Sequence, residues 1–172
     1  MICDFSYPLR REFSPSPGGI QMPKITFIGA GSLGFFKTLM IDCLSFEALR
    51  NSDWALVDID PKRLDYARRI GERIMRDAGS TGKLVATLDR REVLKGSDFV
   101  IMAILVGGYE PIAFDIDIPM KYGVDQCIGD SHGPGGVFRA LRTIPVKVGI
   151  ARDIADLCPN AWVLNYTNPM SM

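Results

Sequence analysis

No pair of cysteines in this chain is spaced to hold a metal. Cys3, Cys43, Cys127 and Cys158 form no CxxC, and their spacing fits no zinc ribbon or finger. A disulfide framework is out of keeping with 172 residues of which 47% are hydrophobic, enough to build a core. The four read as reduced, mostly buried thiols of a cytoplasmic protein. Excess charge is missing too: 20 Lys and Arg balance 20 Asp and Glu, for a net charge of +0. Nucleic acid and an anionic membrane surface both call for a basic excess, so neither is an expected partner. No apolar run is as long as a membrane span. No continuous apolar stretch of a signal peptide opens the chain. Histidine is nearly absent, and the single His132 reads as a solvent-facing loop residue with no catalytic role.

Residues 1–22 differ from the rest. They hold Pro8, Pro15, Pro17, Gly18 and Gly19 with no apolar period, the composition of a disordered leader. Met22 directly precedes the first strand and is a candidate start in place of Met1. Residues 23–172 are then one domain of ordinary size, with no internal repeat or low-complexity tract.

Within that domain strands and helices alternate. Apolar runs predict strands at Lys24–Ile28, Trp54–Val57, Lys83–Thr87, Asp98–Val106 and Ala161–Leu164. Helical patterns occupy Leu33–Leu49, Pro61–Ala78, Asp89–Lys95 and about Ile112–Tyr122. Another covers Val137–Leu157, where Pro145 predicts a bend or break. Leu39, Leu44 and Leu49 are inward candidates on the first helix; Leu64, Ile70, Ile74 and Met75 are those on the second. Pro61 suits a helix start and Gly79 a helix stop. Alternation with short linkers gives a doubly wound α/β sheet, because each parallel return needs a crossover.

The first strand runs into Gly29-Ala30-Gly31-Ser32-Leu33-Gly34, a GxGxxG turn that then opens a helix. That pattern alone is weak, but here it has a strand before, a helix after and an acid at the end of the next strand. It predicts a Rossmann-type NAD site. Gly29 would allow the tight turn, Gly31 the approach of the pyrophosphate, and Gly34 close packing of helix on strand. The phosphates would meet the helix N-terminus across Ser32 and Leu33. Asp58 is the expected ribose ligand, and its charge would repel a 2′-phosphate, which favours NAD over NADP. It lies 29 positions after Gly29 where about 20 is usual, a gap that a longer first helix would fill. Asp60 is the rival for that role.

Ligands in such sheets gather at the carboxyl ends of strands. Three loops there are unusual for a plain core: Gly107-Gly108-Tyr109-Glu110-Pro111, the Ile128–Pro145 stretch containing Asp130, Ser131, His132 and Gly133-Pro134-Gly135-Gly136, and Asn165-Tyr166-Thr167-Asn168-Pro169-Met170. Arg139 and Arg142, three apart on one helix face, could hold a substrate oxygen or pair with Asp130, and a structural pairing is the simpler expectation.

With the opening Pro23-Lys24-Ile25-Thr26-Phe27-Ile28-Gly29-Ala30-Gly31-Ser32, these motifs resemble those of the family 4 glycoside hydrolases. The similarity is to the α-galactosidase (melibiase) and α-galacturonidase branch, and it covers Pro23 to Met172. The resemblance implies an enzyme that needs NAD and a divalent metal, usually Mn²⁺, and stands outside the two-carboxylate scheme of glycosidases. It implies oxidation at sugar C3, loss of the C2 proton to a tyrosine, elimination of the aglycone and addition of water at C1. Asn168 corresponds to a substrate-binding asparagine, and Asp130 to an acid that supports the tyrosine base. The metal ligands and that tyrosine are expected beyond residue 172, so Tyr109 is not the base and no metal is expected within this chain. On this resemblance the chain is the N-terminal portion of a longer enzyme, inactive by itself. The full enzyme would be a homo-oligomer acting on a small glycoside. Two other readings stay open: an NAD-dependent dehydrogenase of the lactate/malate type, and a non-catalytic NAD-binding module.

Overall fold

Along Lys24–Ile28 successive side chains serve two cores, Ile25 and Phe27 on one face and Ile28 on the other. The computed structural model describes residues 22–126 and 131–171. The leader up to residue 21 and the Cys127–Asp130 segment lie outside the described residues.

The elements are β1 (Lys24–Ile28), α1 (Leu33–Ser45), a short 3-10 helix (Glu47–Leu49), β2 (Asp53–Val57), α2 (Pro61–Asp77), β3 (Leu84–Thr87) and α3 (Arg91–Leu94), followed by β4 (Phe99–Met102), α4 (Glu110–Met120), α5 (Gly133–Leu157) and β5 (Trp162–Asn165). The five strands make one parallel sheet in the order β3-β2-β1-β4-β5. Ile25, Phe27 and Ile101 point to one face, where they pack with Phe36, Met40 and Leu44 of α1 and Leu64 and Met75 of α2. Ile28, Val100 and Met102 point to the other, against Leu94 of α3 and Ile150 and Ile154 of α5. Phe36, Met40 and Leu44 recur every four residues, which puts all three on one face of α1. Strand order reverses direction between β1 and β4, so the crevice beyond their carboxyl ends is the topological switch point of the sheet.

Several predicted boundaries move. α1 stops at Ser45, because Phe46 turns to an extended backbone and sends its N–H to the Cys43 carbonyl; Leu39 and Leu49 are only half-buried. β4 ends at Met102, four residues before the expected Val106. Its partner β1 turns away at Gly29, so after the Ala103 N–H bonds the Ile28 carbonyl there is no β1 strand left to pair with. α4 begins at Glu110 with Pro111 in its first turn, and α5 begins at Gly133, ahead of the predicted Val137. The largest correction concerns Pro145, which does not break α5: the helix runs unbroken from Gly133 to Leu157. Pro145 is exposed, while Ala140 and Thr143 before it and Ile150 and Ile154 after it are buried, so packing on both sides keeps the helix going past the one missing hydrogen bond.

Asp60 caps α2, accepting from the backbone N–H groups of Lys62 and Arg63. Gly79 follows at φ +65, the left-handed stop that the sequence predicts. Buried Asp153 fastens α5 to α3 through Arg90, at 2.6 Å, and Arg91. Burial alone would push its carboxyl up; the two guanidinium groups outweigh that and hold it below the usual carboxylate range. Cys43 and Cys158 are free thiols whose pKa burial raises, which keeps them protonated at neutral pH.

Candidate functional site

Where β1 ends, Gly29 and Ala30 both donate their N–H to the Val57 carbonyl, at 2.8 and 3.0 Å. The chain then folds back so that Ser32 N–H reaches the Gly29 carbonyl at 2.9 Å. Gly29 has φ +92, and a Cβ there would sit 2.3 Å from the Ala103 carbonyl oxygen. Only glycine meets both conditions, as the sequence predicts for the first position of the turn.

Asp58 leaves the end of β2 and reaches under this turn. Its Oδ2 accepts the Gly31 N–H at 2.6 Å and its Oδ1 accepts the Asp60 N–H at 3.0 Å. The 29-residue gap from Gly29 is therefore no obstacle: α1 and the 3-10 helix take up the extra chain, and Asp58 still meets the turn. Asp60 instead caps α2, accepting from Lys62 and Arg63, and among the described residues makes no hydrogen bond to the glycine turn. A Cβ on Gly31 would lie 2.6 Å from Asp58 Oδ2 and 2.9 Å from Arg63 Cβ. The second glycine is thus required first by the protein's own acid and second helix, beyond any need to admit a ligand. Gly34 corrects the expectation set for it. A Cβ there would meet nothing within 4 Å, so it does not serve to bring helix and strand together. It leaves a bare strip over the first turn of α1.

That first turn has no side-chain cap from Ser32 and no acidic residue. The leading N–H groups of a helix have no intrahelical acceptor, and the aligned peptide dipoles add a partial positive charge there. A diphosphate fits these donors and the bare strip above them, and a vicinal diol fits the remaining lone pairs of Asp58. The turn of Gly29, Gly31, Ser32, Leu33 and Gly34 with Asp58 is therefore a cradle suited to a dinucleotide.

Beside it the loops after β4 and β5 are tied together. Thr167, 2% exposed, accepts the Ile104 N–H on its hydroxyl at 3.0 Å, and Asn165 Oδ1 accepts the Thr167 N–H at 3.0 Å. Asn168 follows at once, half-buried, with a cis peptide bond to Pro169. Ser171 donates to the Ser131 carbonyl at 3.0 Å, which brings the start of α5 to the same edge. His132 is exposed in the position before α5, in line with its reading as a solvent-facing residue. Asp130 lies outside the described residues. Arg142 makes a structural pair, but with Asp115 of α4. Sequence reasoning missed both Asp115 and Thr167. Their partners are 27 and 63 positions away, and no local pattern marks them.

Among the described residues no group of three His, Cys, Asp or Glu side chains converges to hold a metal. These described residues do not by themselves fit an Mn²⁺ site. Nor is any helix among them long and apolar enough to cross a membrane.

A doubly wound parallel sheet with a glycine turn at its switch point and an acid on the neighbouring strand defines a Rossmann-type domain. Comparison with known proteins places it more closely. A profile described as "Family 4 glycosyl hydrolase" matches residues 24–172, and the chain belongs to that family. It is 48% identical over 151 residues to an alpha-galactosidase of Bacillus subtilis (strain 168), covering 87% of this chain and 35% of the relative. It is 42% identical over 157 residues to an alpha-galacturonidase of Lachnoclostridium phytofermentans, covering 90% and 34%. Among solved structures, a 6-phospho-alpha-glucosidase from gut microorganisms in complex with NAD and Mn²⁺ superposes with a TM-score of 0.73 at 25% identity, over 87% of this chain and 33% of that one. The chain spans about a third of the length of the relatives it matches.

Proposed function

We propose that this chain supplies the NAD-binding part of an NAD- and Mn²⁺-dependent glycoside hydrolase of the α-galactosidase kind. The strongest single support is the Asp58 carboxylate, 2.6 Å from the Gly31 N–H at the mouth of an uncapped helix. The backbone amides of Ser32 to Gly34 bind the pyrophosphate, and Asp58 accepts from the ribose hydroxyls while repelling a 2′-phosphate. NAD⁺, when bound, supplies a hydride acceptor for the sugar. Asn168 positions the glycoside, since its amide can donate to one sugar hydroxyl and accept from another. Asp130 supports the tyrosine base.

The reaction proceeds by oxidation at sugar C3, loss of the C2 proton, elimination of the aglycone, addition of water at C1 and reduction at C3. No net NADH accumulates on this scheme. The test is a chimera in which residues 24–170 replace the matching third of the B. subtilis alpha-galactosidase. It should hydrolyse an aryl α-galactoside only when both NAD⁺ and Mn²⁺ are present, with no lasting absorbance from NADH. Stoichiometric build-up of NADH would speak for a dehydrogenase instead. Activity indifferent to NAD⁺ would contradict the proposal.

A further inference from the structure

The loop that leaves β4 is tied to Thr167 at Ile104, and beyond that carries one long backbone bond of its own, Gly108 N–H to the Leu105 carbonyl at 3.4 Å. Gly107 and Gly108 both adopt left-handed backbones, φ +83 and +72, and Tyr109 beyond them is exposed. Yet this loop begins at Ala103 and Ile104, the residues that press on Gly29 and so border the dinucleotide cradle. Its far end lies against Pro111 of α4 and against an ion pair between two helices. Arg142 of α5 donates from Nη1 and Nη2 to the two carboxylate oxygens of Asp115 on α4, at 2.8 and 2.5 Å. The Arg142 Nε reaches the Val106 carbonyl at 3.4 Å, and its Cδ would lie 3.9 Å from a Cβ on Gly107.

The pair is enclosed: the side chains are 9% exposed at Asp115 and 21% at Arg142, so solvent screens it less than the helix-surface pairs of α2. The bidentate contact with Asp115 raises the Arg142 pKa further. Asp115 also works from its backbone. Its carbonyl accepts from Gln126 Nε2 at 3.0 Å, and Gln126 Oε1 lies 3.1 Å from where a Cβ on Gly133 would stand. One aspartate thus touches the loop after β4 through Arg142, and the start of α5 through Gln126.

We propose that Asp115 and Arg142 are a positioning pair that presets the Val106–Gly108 loop beside the cradle, so that the nicotinamide half of the dinucleotide meets a formed surface. This rests on the NAD reading above. Neither side chain need touch the ligand. A pair that merely pinned α4 to α5 would, when lost, lower stability and weaken every nucleotide equally. A pair that presets this loop should matter for NAD⁺ and not for 5′-AMP, whose phosphate and ribose engage only the Gly31 and Asp58 end.

The test uses the 172-residue chain and two variants. Arg142→Lys keeps the charge but cannot span both carboxylate oxygens and Val106. Asp115→Leu/Arg142→Met removes both charges at similar volume, a change that folded proteins commonly tolerate. Amide hydrogen exchange across residues 104–109 should quicken in both variants, with no ligand present. If the loop then holds its binding geometry only about a tenth of the time, the NAD⁺ Kd rises about tenfold. The Kd for 5′-AMP should stay within about twofold on the same argument. Unchanged exchange at 104–109, or equal weakening of both nucleotides, overturns the proposal while leaving NAD binding intact. If the unaltered chain binds 5′-AMP and NAD⁺ with the same affinity, the loop contributes nothing and the proposal fails. Failure of the unaltered chain to bind either nucleotide overturns the NAD reading as well.

Discussion

Asp58→Ala should weaken NAD⁺ binding by about tenfold to a hundredfold, the loss expected for charged hydrogen bonds worth about 1.5–3 kcal/mol. Two effects combine. The ribose hydroxyls lose their acceptor, and the Gly31 N–H loses the carboxylate that holds it at 2.6 Å. The turn then has to find its ligand-binding shape without the acid that now fixes it. Asp58→Asn separates these contributions. Its single amide oxygen can still accept from Gly31, at the cost of the Asp60 N–H bond, while the charge that opposes a 2′-phosphate is gone. That variant should narrow the preference for NAD⁺ over NADP⁺. Titration calorimetry with both nucleotides reads both effects, and an Asp58→Ala chain with undiminished NAD⁺ affinity would remove this residue from the site.

Gly29→Ala should be the most damaging single substitution in the turn. A side chain at φ +92 costs about 1–2 kcal/mol by itself. The added Cβ would also stand 2.3 Å from the Ala103 carbonyl oxygen, which is backbone and has no rotamer to move. Relief would require β1 and the β4 loop to separate at the sheet's switch point. A loss of about 3 kcal/mol or more is expected, which for a domain of this size lowers Tm by roughly 6–12 °C or prevents folding. Gly34→Ala is the matched control. It adds a Cβ in a helical position with nothing within 4 Å, so it should raise stability by up to about 1 kcal/mol. Thermal unfolding followed by circular dichroism distinguishes the two, and equal Tm values for both variants would contradict the account of the turn.

The contrast between these glycines shows what the sequence could and could not convey. The spacing Gly29-Ala30-Gly31 and the acid at the end of the next strand were readable because strand, turn and helix are local. The same motif suggested a packing role for Gly34, which depends on where α1 leans, and nothing in the sequence states that lean. β4 offers a similar lesson. Ile104, Leu105 and Val106 continue an apolar run that looks like strand, yet the ladder stops at Ala103 because β1, 75 residues earlier, has already turned at Gly29. Pro145 has the usual signature of a helix break, but burial of Ala140 and Ile150 on either side outweighs one lost hydrogen bond. The Asp115–Arg142 pair joins two helices across 27 positions, and only their packing reveals it. Asn168 and Thr167 were adjacent in the sequence, but Thr167's bond to Ile104 depends on β4 and β5 being neighbours in the sheet.

Titration of NAD⁺ into the purified, folded 172-residue chain is the most direct measurement. Saturable one-to-one binding, weaker for NADP⁺, is the predicted result. Absence of binding at millimolar NAD⁺, with circular dichroism showing an intact α/β fold, would contradict the claim that Asp58 and the glycine turn form a dinucleotide cradle.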